Sequence, residues 1–154
     1  MSIHSTVLRQ YRDKLDRAAV QTRDLQLPPQ GWLRTAREAL GMTGATLGRR
    51  LGLTRARISQ AEAGELNGSV SLKTMQNMAA AMGCRFVYAI VPLGSIDDAV
   101  LAQARKQAAR LVSRASGHMA LEDQALSPKR IDAEVERLAR GLAEKPPADF
   151  WDDK

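Results

Sequence analysis

The sequence predicts a mostly α-helical fold with one short β-strand. Ala, Leu, Arg and Gln, which favour helices, dominate the 154 residues. Apolar residues recur three or four positions apart in most segments between the glycine and proline breaks. One segment, CRFVYAIV at residues 84–91, is β-branched and aromatic and lacks that spacing. We therefore expect a bundle of short helices, a single strand and a helical C-terminal extension.

Residues 43–64, TGATLGRRLGLTRARISQAEAG, read as two short helices joined by a tight turn. Thr43 and Thr54 are N-cap residues, and Gly52 accepts the positive φ that follows a helix end. Leu53 is expected to fill the space between the helices. The apolar stripes are Leu47 with Leu51, and Ile58 with Ala61. These features predict a helix-turn-helix, with an ordinary helical hairpin as the alternative.

Similar patterns predict further helices and a division of the chain into four segments. The other helices are expected at residues 5–25, 32–40, 72–82, 95–122 and 128–144. The segments are an N-terminal amphipathic helix (1–27), the helix-turn-helix domain (28–83), the strand (84–94) and a C-terminal helical region (95–154). Trp32, Leu72 and the methionines of residues 72–82 are expected in the core.

A single strand in a helical chain leaves both of its edges unpaired. Phe86, Tyr88 and Ile90 alternate along residues 84–91 and would share one face. The simplest partner is the same strand of a second copy across a two-fold axis, which predicts a homodimer. The alternative is pairing with an extended N-terminal or C-terminal segment.

Charge is distributed unevenly along the chain. Residues 1–94 contain 13 Lys and Arg against 6 Asp and Glu, whereas residues 95–154 contain 10 against 11. A basic first part suits a polyanion, and a near-neutral second part suits a protein partner. The polar N-terminus and the lack of a long apolar run predict a cytoplasmic protein with no membrane partner.

No residue pattern indicates catalysis, a metal or a cofactor. Cys84 is the only cysteine, so the chain forms no internal disulfide, and this residue is expected to be small and buried. The two histidines, His4 and His118, are far apart in the sequence and lack a typical set of ligands. We expect that the protein is not an enzyme.

The second helix of the pair offers side chains suited to duplex DNA. Arg55 can donate a bidentate pair to guanine, and Gln60 can pair with adenine in the same manner. Ala56 can contact a thymine methyl group, and Ser59 accepts several partners. The expected phosphate contacts are Thr54 and Arg57, with Arg49 and Arg50 as further candidates or solvated charges.

The segment LRTAREALGMTGATLGRRLGLTRARISQAEAGE resembles the Cro/C1 (Xre) repressor group over about residues 31–82. The resemblance implies a lambda-repressor-like helix-turn-helix bundle and base contacts at Arg55, Ala56 and Gln60. It also implies a structural ion pair between Arg37 and Glu62. Gly44 stands where the group often has a glutamine that braces a phosphate. Thr43 and the Gly44 N–H are still expected to face phosphate, but without that side chain the affinity is expected to rest more on arginine.

The pieces GWLRTAREALGMT, YAIVP and HMALEDQ (residues 118–124) resemble the mobile mystery protein A family. That family accompanies a Fic-domain protein, so the resemblance implies that the protein is the antitoxin and autorepressor of a Fic-type toxin. A dimeric helix-turn-helix regulator would bind a palindromic operator. No glutamate is followed by Gly or Asn, as the inhibitory motif of the best-known Fic antitoxins requires. The alternative is an inhibitor that acts on a partner enzyme through the C-terminal helices, with DNA binding secondary.

The acidic C-terminal tail contains two adjacent aromatic residues, Phe150 and Trp151. Such tails are commonly frayed, but an aromatic pair among acidic residues is also suited to docking on a partner. The sequence leaves both interpretations open.

Overall fold

A computed structural model of the chain describes residues 2–121 and 126–153. These residues form seven helices: α1 (Ile3–Thr22), α2 (Trp32–Ala39), α3 (Gly44–Leu51), α4 (Arg55–Asn67), α5 (Leu72–Ala81), α6 (Ile96–Leu121) and α7 (Pro128–Glu144). The HMALEDQ segment from Glu122 onward lies outside the described residues. None of the described helices combines the length and apolarity needed to cross a bilayer.

The chain divides into two compact units. The central unit runs from Thr22 to Ala89, and the terminal unit combines the residues up to Gln21 with those from Ile90 onward. The predicted N-terminal helix and C-terminal helices thus belong to one unit.

The core of the central unit lies between α2, α3, α4 and α5. Its buried residues are Leu33, Leu47, Ile58, Met75, Met78 and Met82. The prediction that the methionines are core residues is therefore confirmed. Burial of each such side chain contributes about 1.5–3 kcal/mol to folding.

Three side chains expected to be buried are exposed. Trp32 is 42% exposed, and Leu72, on the predicted apolar face of α5, is 52% exposed. Cys84 is also exposed, and its thiol donates to the Met82 carbonyl at 3.6 Å. Each lies just inside or just beyond the end of a helix, where the helical periodicity of the sequence no longer fixes the direction of a side chain.

Helix α4 is longer than the sequence indicates. The segment predicted to hold the two paired helices ends at Gly64, but α4 continues to Asn67 and ends at Gly68, whose φ is 81°. Gly64 is buried inside the helix because the chain turns back over it. A Cβ at Gly64 would lie 3.0 Å from the Ser69 hydroxyl oxygen and 3.3 Å from the Val70 backbone nitrogen.

The prediction of a β-strand at residues 84–91 is wrong for the single chain. These residues have no regular secondary structure, and the described residues contain no strand. A strand needs a neighbour that completes its hydrogen bonds. Phe86 packs against the central core, whereas Tyr88 and Ile90 are 66% and 83% exposed.

The core of the terminal unit forms where α6 and α7 pack along each other. Its buried residues are Val100, Ala104, Ala108, Ala139 and Phe150. Helix α1 is joined to the start of α6 by two polar contacts. Arg12 forms an ion pair with Asp97 at 2.9 Å, and the Asp16 carboxylate accepts from the Ile96 N–H at 3.2 Å.

The C-terminal tail is folded against α6. Phe150 is 1% exposed, and its carbonyl accepts from the Gln103 and Gln107 side-chain amides at 2.7 and 3.0 Å. Trp151 contacts the Phe150 ring edge to face but remains 61% exposed. One residue of the aromatic pair is therefore a core residue, and the other lies at the surface.

Candidate nucleic-acid interface

Two threonine caps begin the paired helices α3 and α4. The Thr43 hydroxyl accepts from the Thr46 N–H at 3.1 Å, and the Thr54 hydroxyl accepts from the Arg57 N–H at 3.2 Å. Gly52, with φ 68°, ends α3 in the left-handed conformation. The caps and the turn lie where the sequence indicates, so the local chemistry sets the start of α4.

A second glycine brings the turn close to α3. The Leu53 N–H donates to the Gly48 carbonyl at 2.8 Å, and a Cβ at Gly48 would lie 2.5 Å from the Leu53 carbonyl oxygen. Leu53 itself is 42% exposed, so the expectation that its side chain fills the space between the helices is wrong. A glycine inside a helix lowers the stability of the helix by about 1 kcal/mol relative to alanine. A glycine at position 48 of the sequence therefore indicates that the backbone of α3 is approached closely there.

Helix α4 has a buried side and an exposed side. Ile58 is 1% exposed, and Ala61 packs partly buried against the same core. The four residues expected to contact bases are all exposed: Arg55, Ala56, Ser59 and Gln60. The structure thus gathers them on the side of α4 that faces away from the core, near its N-terminus.

An open pocket separates the N-terminus of α3 from α4. It is lined by the turn before α3 and by Arg34, Arg55 and Ser59. A Cβ at Gly44 would lie 3.6 Å from the Arg55 Cγ, so the Arg55 side chain runs alongside Gly44. Glu38 and Glu62 also line the pocket, but each is paired with an arginine. The unpaired charge of the pocket is therefore that of Arg55, which lies beside the N–H groups at the start of α3.

The expected phosphate contacts differ in how they are engaged. Arg57 is exposed and forms no ion pair with any residue that the structure describes. Arg49 donates to the Thr46 hydroxyl at 3.3 Å. Arg50 donates from Nε to the Ala81 carbonyl at 2.8 Å, so it links α3 to the C-terminal end of α5.

Arg37 and Glu62 form a mostly buried ion pair between α2 and α4. Their side chains are 13% and 12% exposed, and Arg37 Nη2 lies 3.2 Å from Glu62 Oε2. Arg37 Nη1 also donates to the Met42 carbonyl at 2.9 Å, and the hydrogen bond to Glu62 raises the pKa of Arg37. The pair therefore fixes α4 to α2 and to the turn before α3.

Sequence reasoning missed Glu65, which caps α2. Its carboxylate accepts from the Trp32 and Leu33 N–H groups at 2.8 and 3.1 Å. Gly31, with φ 85°, makes room, because a Cβ there would overlap the carboxylate. The signal was the lack of a capping side chain at Gly31, since the first N–H groups of a helix require an acceptor.

Comparisons with known proteins identify this part of the chain. Residues 33–88 match the family model described as helix-turn-helix. A comparison with curated proteins found no match to the chain, and a comparison with solved structures found none either. The chain carries a helix-turn-helix domain of the Cro/C1 type, which is a DNA-binding regulatory domain.

Proposed function

We propose that the protein is a sequence-specific transcriptional regulator that inserts the N-terminal half of α4 into the major groove. The observation that carries the proposal is the shared exposed face of Arg55, Ala56, Ser59 and Gln60. Helices of this size fit the major groove, where every base pair presents a distinct set of donors and acceptors. The match of residues 33–88 to the helix-turn-helix family supports the same function.

Each of these side chains has a role that follows from its chemistry. Arg55 donates to guanine O6 and N7, and Gln60 pairs with adenine. Ala56 packs on a thymine methyl group, and Ser59 donates to or accepts from a neighbouring base. Loss of one bidentate contact costs about 1–3 kcal/mol with the cognate base.

Phosphate contacts surround this face. We infer that the N-terminus of α3, with Thr43 and Gly44, receives one phosphate, and that Thr54 and Arg57 receive another. Arg49 is a further candidate. Arg50 is engaged with the Ala81 carbonyl, so its main role in our proposal is to support α3.

The regulator acts as a homodimer on a palindromic operator in this proposal. One helix reads only a few base pairs, and two copies related by a two-fold axis double the recognised sequence. The half-site centres are then separated by a multiple of about 10 bp.

Selection of bound sequences from a pool of random DNA duplexes tests this function. The wild-type chain should enrich a palindrome. Arg55→Ala should lose preference at one base pair in each half-site. Arg57→Ala, a matched change two residues further along α4, should weaken binding to all sequences alike and reduce the salt dependence by about one unit of slope.

Two results would contradict the proposal. One is a failure of the wild-type chain to enrich any sequence above the input pool. The other is an Arg55→Ala variant whose selected sequence is the same as that of the wild-type chain.

We further propose that the terminal unit binds a Fic-domain protein, so that the regulator is the antitoxin and autorepressor of a Fic-type pair. Support comes from the resemblance to the mobile mystery protein A family and from the near-neutral charge of residues 95–154. An open apolar groove between α6 and α7, with Leu111, Ala115 and Leu138 in its walls, offers a surface for this partner.

Co-purification of the full-length chain with a co-expressed Fic-domain protein from the adjacent reading frame tests this partner. Leu111→Glu places a charge in the groove and should abolish co-purification while operator binding persists. Arg140→Glu, at an exposed position of α7, should retain the partner. Equal co-purification of both variants would place the partner elsewhere, and no co-purification of the wild-type chain would refute the pair.

A further inference from the structure

Residues 85–91, RFVYAIV, are exposed except for Phe86, and their backbone groups form no hydrogen bonds within the part of the chain that the structure describes. Val87, Tyr88 and Ile90 are 68%, 66% and 83% exposed. Apolar, β-branched and aromatic residues with free backbone groups favour addition to another strand.

The segment already has the alternation of a strand. The Phe86 and Tyr88 rings are stacked with centroids 5.8 Å apart, so these two residues share one side. A period of two is the geometry of a β-strand.

The chain offers no suitable partner of its own in the described residues. The N-terminus is helical from Ile3, and the C-terminal tail is held against α6 by the burial of Phe150. These two segments were the alternative partners for the predicted strand, and both are engaged in the terminal unit.

We propose that residues 85–91 pair antiparallel with the same residues of a second copy, with Tyr88 opposite its own copy. The free backbone is bounded on one side by Cys84, whose N–H already donates to the Ala79 carbonyl at 2.8 Å. On the other side it is bounded by Pro92, which has no N–H. Tyr88 is the midpoint of the seven residues between these limits.

Symmetry and side-chain chemistry agree with this register. A two-fold axis normal to an antiparallel pair places one residue opposite its own copy, and the longest such pairing centres on Tyr88. Phe86 then faces Ile90 of the second copy, an aromatic and β-branched pair that stabilises sheets. Arg85 faces Val91, so the two copies bring no like charges into opposition.

This inference deepens the proposed function, because it names the interface that would hold two copies of α4 on one operator. Its test does not use DNA, so that a failure here is separate from a failure of DNA binding.

Disulfide cross-linking tests the register. In a Cys84→Ser background, Tyr88→Cys places two cysteines directly opposite, within the Cα separation of about 4.4–6.8 Å that a disulfide requires. Oxidation should yield a covalent dimer. Ile90→Cys in the same background is the matched control and should remain monomeric on a denaturing gel, since its own copy lies four residues away.

Val87→Cys distinguishes the neighbouring register. In the proposed pairing its own copy is at the diagonal distance of about 7–8 Å, which is too far for an unstrained disulfide. Faster cross-linking of Val87→Cys than of Tyr88→Cys would overturn the register, and equal cross-linking at all three positions would overturn the ordered pairing.

Light scattering on the wild-type chain tests the pairing itself. The expected mass is twice the 16.8 kDa of one chain. Ala89→Pro and Ile90→Pro each remove an N–H that has no partner in the single chain. Alternate residues of an antiparallel strand donate to the neighbour, so the pairing uses one of these two N–H groups. The helical circular dichroism should be unchanged in both variants, and the mass of one of them should fall to 16.8 kDa. A monomeric wild-type chain, or dimers of both proline variants, would overturn the proposal.

Discussion

At the scale of single residues, the position of α4 depends on contacts that leave no room for larger groups. Gly48 brings the turn within contact of α3, and Gly31 allows the Glu65 carboxylate to reach the start of α2. Gly48 lies against the backbone of the turn, and Gly31 lies against the Glu65 side chain. Small changes at these positions should therefore move or loosen α4 without touching the proposed DNA contacts.

Gly48→Ala should destabilise the central unit by about 1–3 kcal/mol, because its Cβ would overlap the Leu53 carbonyl oxygen at 2.5 Å. Gly141→Ala is the control, since a Cβ in that helical position meets nothing within 4 Å. It should stabilise the chain by about 0.5–1 kcal/mol. Urea unfolding followed by circular dichroism measures both, and equal effects would contradict the contact.

The Lys106 ammonium lowers the pKa of Asp153 through a hydrogen bond at the C-terminal tail. A lowered carboxyl pKa stabilises the folded tail above the ordinary pKa, and that stabilisation is lost as pH falls through the lowered value. In Lys106→Gln the pKa of Asp153 should rise towards its ordinary value, measured by NMR titration of the carboxyl carbon. Lys129→Gln should leave it unchanged, and an unchanged pKa in Lys106→Gln would contradict the contact.

At the scale of elements, the helix starts could be predicted from the sequence, because they depend on residues that are neighbours in the chain. Thr43, Thr54, Ser71 and Ser127 all accept the N-cap hydrogen bonds that their positions indicate. Helix α7 begins at the predicted Pro128 because serine and proline define a helix start. The contacts by which the helices pack on one another were harder to predict from the sequence. Glu65 lies more than thirty residues from the Trp32 and Leu33 N–H groups that it caps, and no short window of sequence joins the two.

The segment at residues 84–91 also shows that composition alone does not determine a structure that depends on distant contacts. Its composition favours a strand, but a strand requires a second strand, and the single chain supplies none among the described residues. Leu53 was misassigned for a related reason. Its apolar character indicates burial, whereas the small size of Gly48 lets backbone fill that space.

Burial of Phe150 holds the C-terminal tail against the core of the terminal unit. Phe150→Ala should destabilise the terminal unit by about 3–5 kcal/mol, since it empties a buried aromatic site beside Ala104, Ala108 and Ala139. Trp151→Ala should change stability by less than about 0.5 kcal/mol, because that side chain is mostly exposed. Hydrogen exchange of α6 and α7 locates the effect, and similar losses in both variants would argue against an anchoring role.

At the scale of the whole molecule, an excess of positive charge distinguishes the central unit. The central unit contains nine Lys and Arg against four Asp and Glu, and it carries the helix-turn-helix domain. Contacts to phosphate depend on such an excess of positive charge and weaken as salt rises. Operator affinity should therefore fall steeply with salt, and Arg57→Ala should flatten the slope by about one. A salt-independent affinity would exclude the phosphate contacts we propose.

Methylation interference on the selected operator shows directly whether α4 reads bases in the major groove. Methylation of guanine N7 blocks the acceptor that we assign to Arg55. The wild-type chain should show interference at one guanine in each half-site, and Arg55→Ala should lose it at that guanine alone. Interference confined to adenine N3 in the minor groove, or a guanine pattern that Arg55→Ala leaves unchanged, would contradict the account.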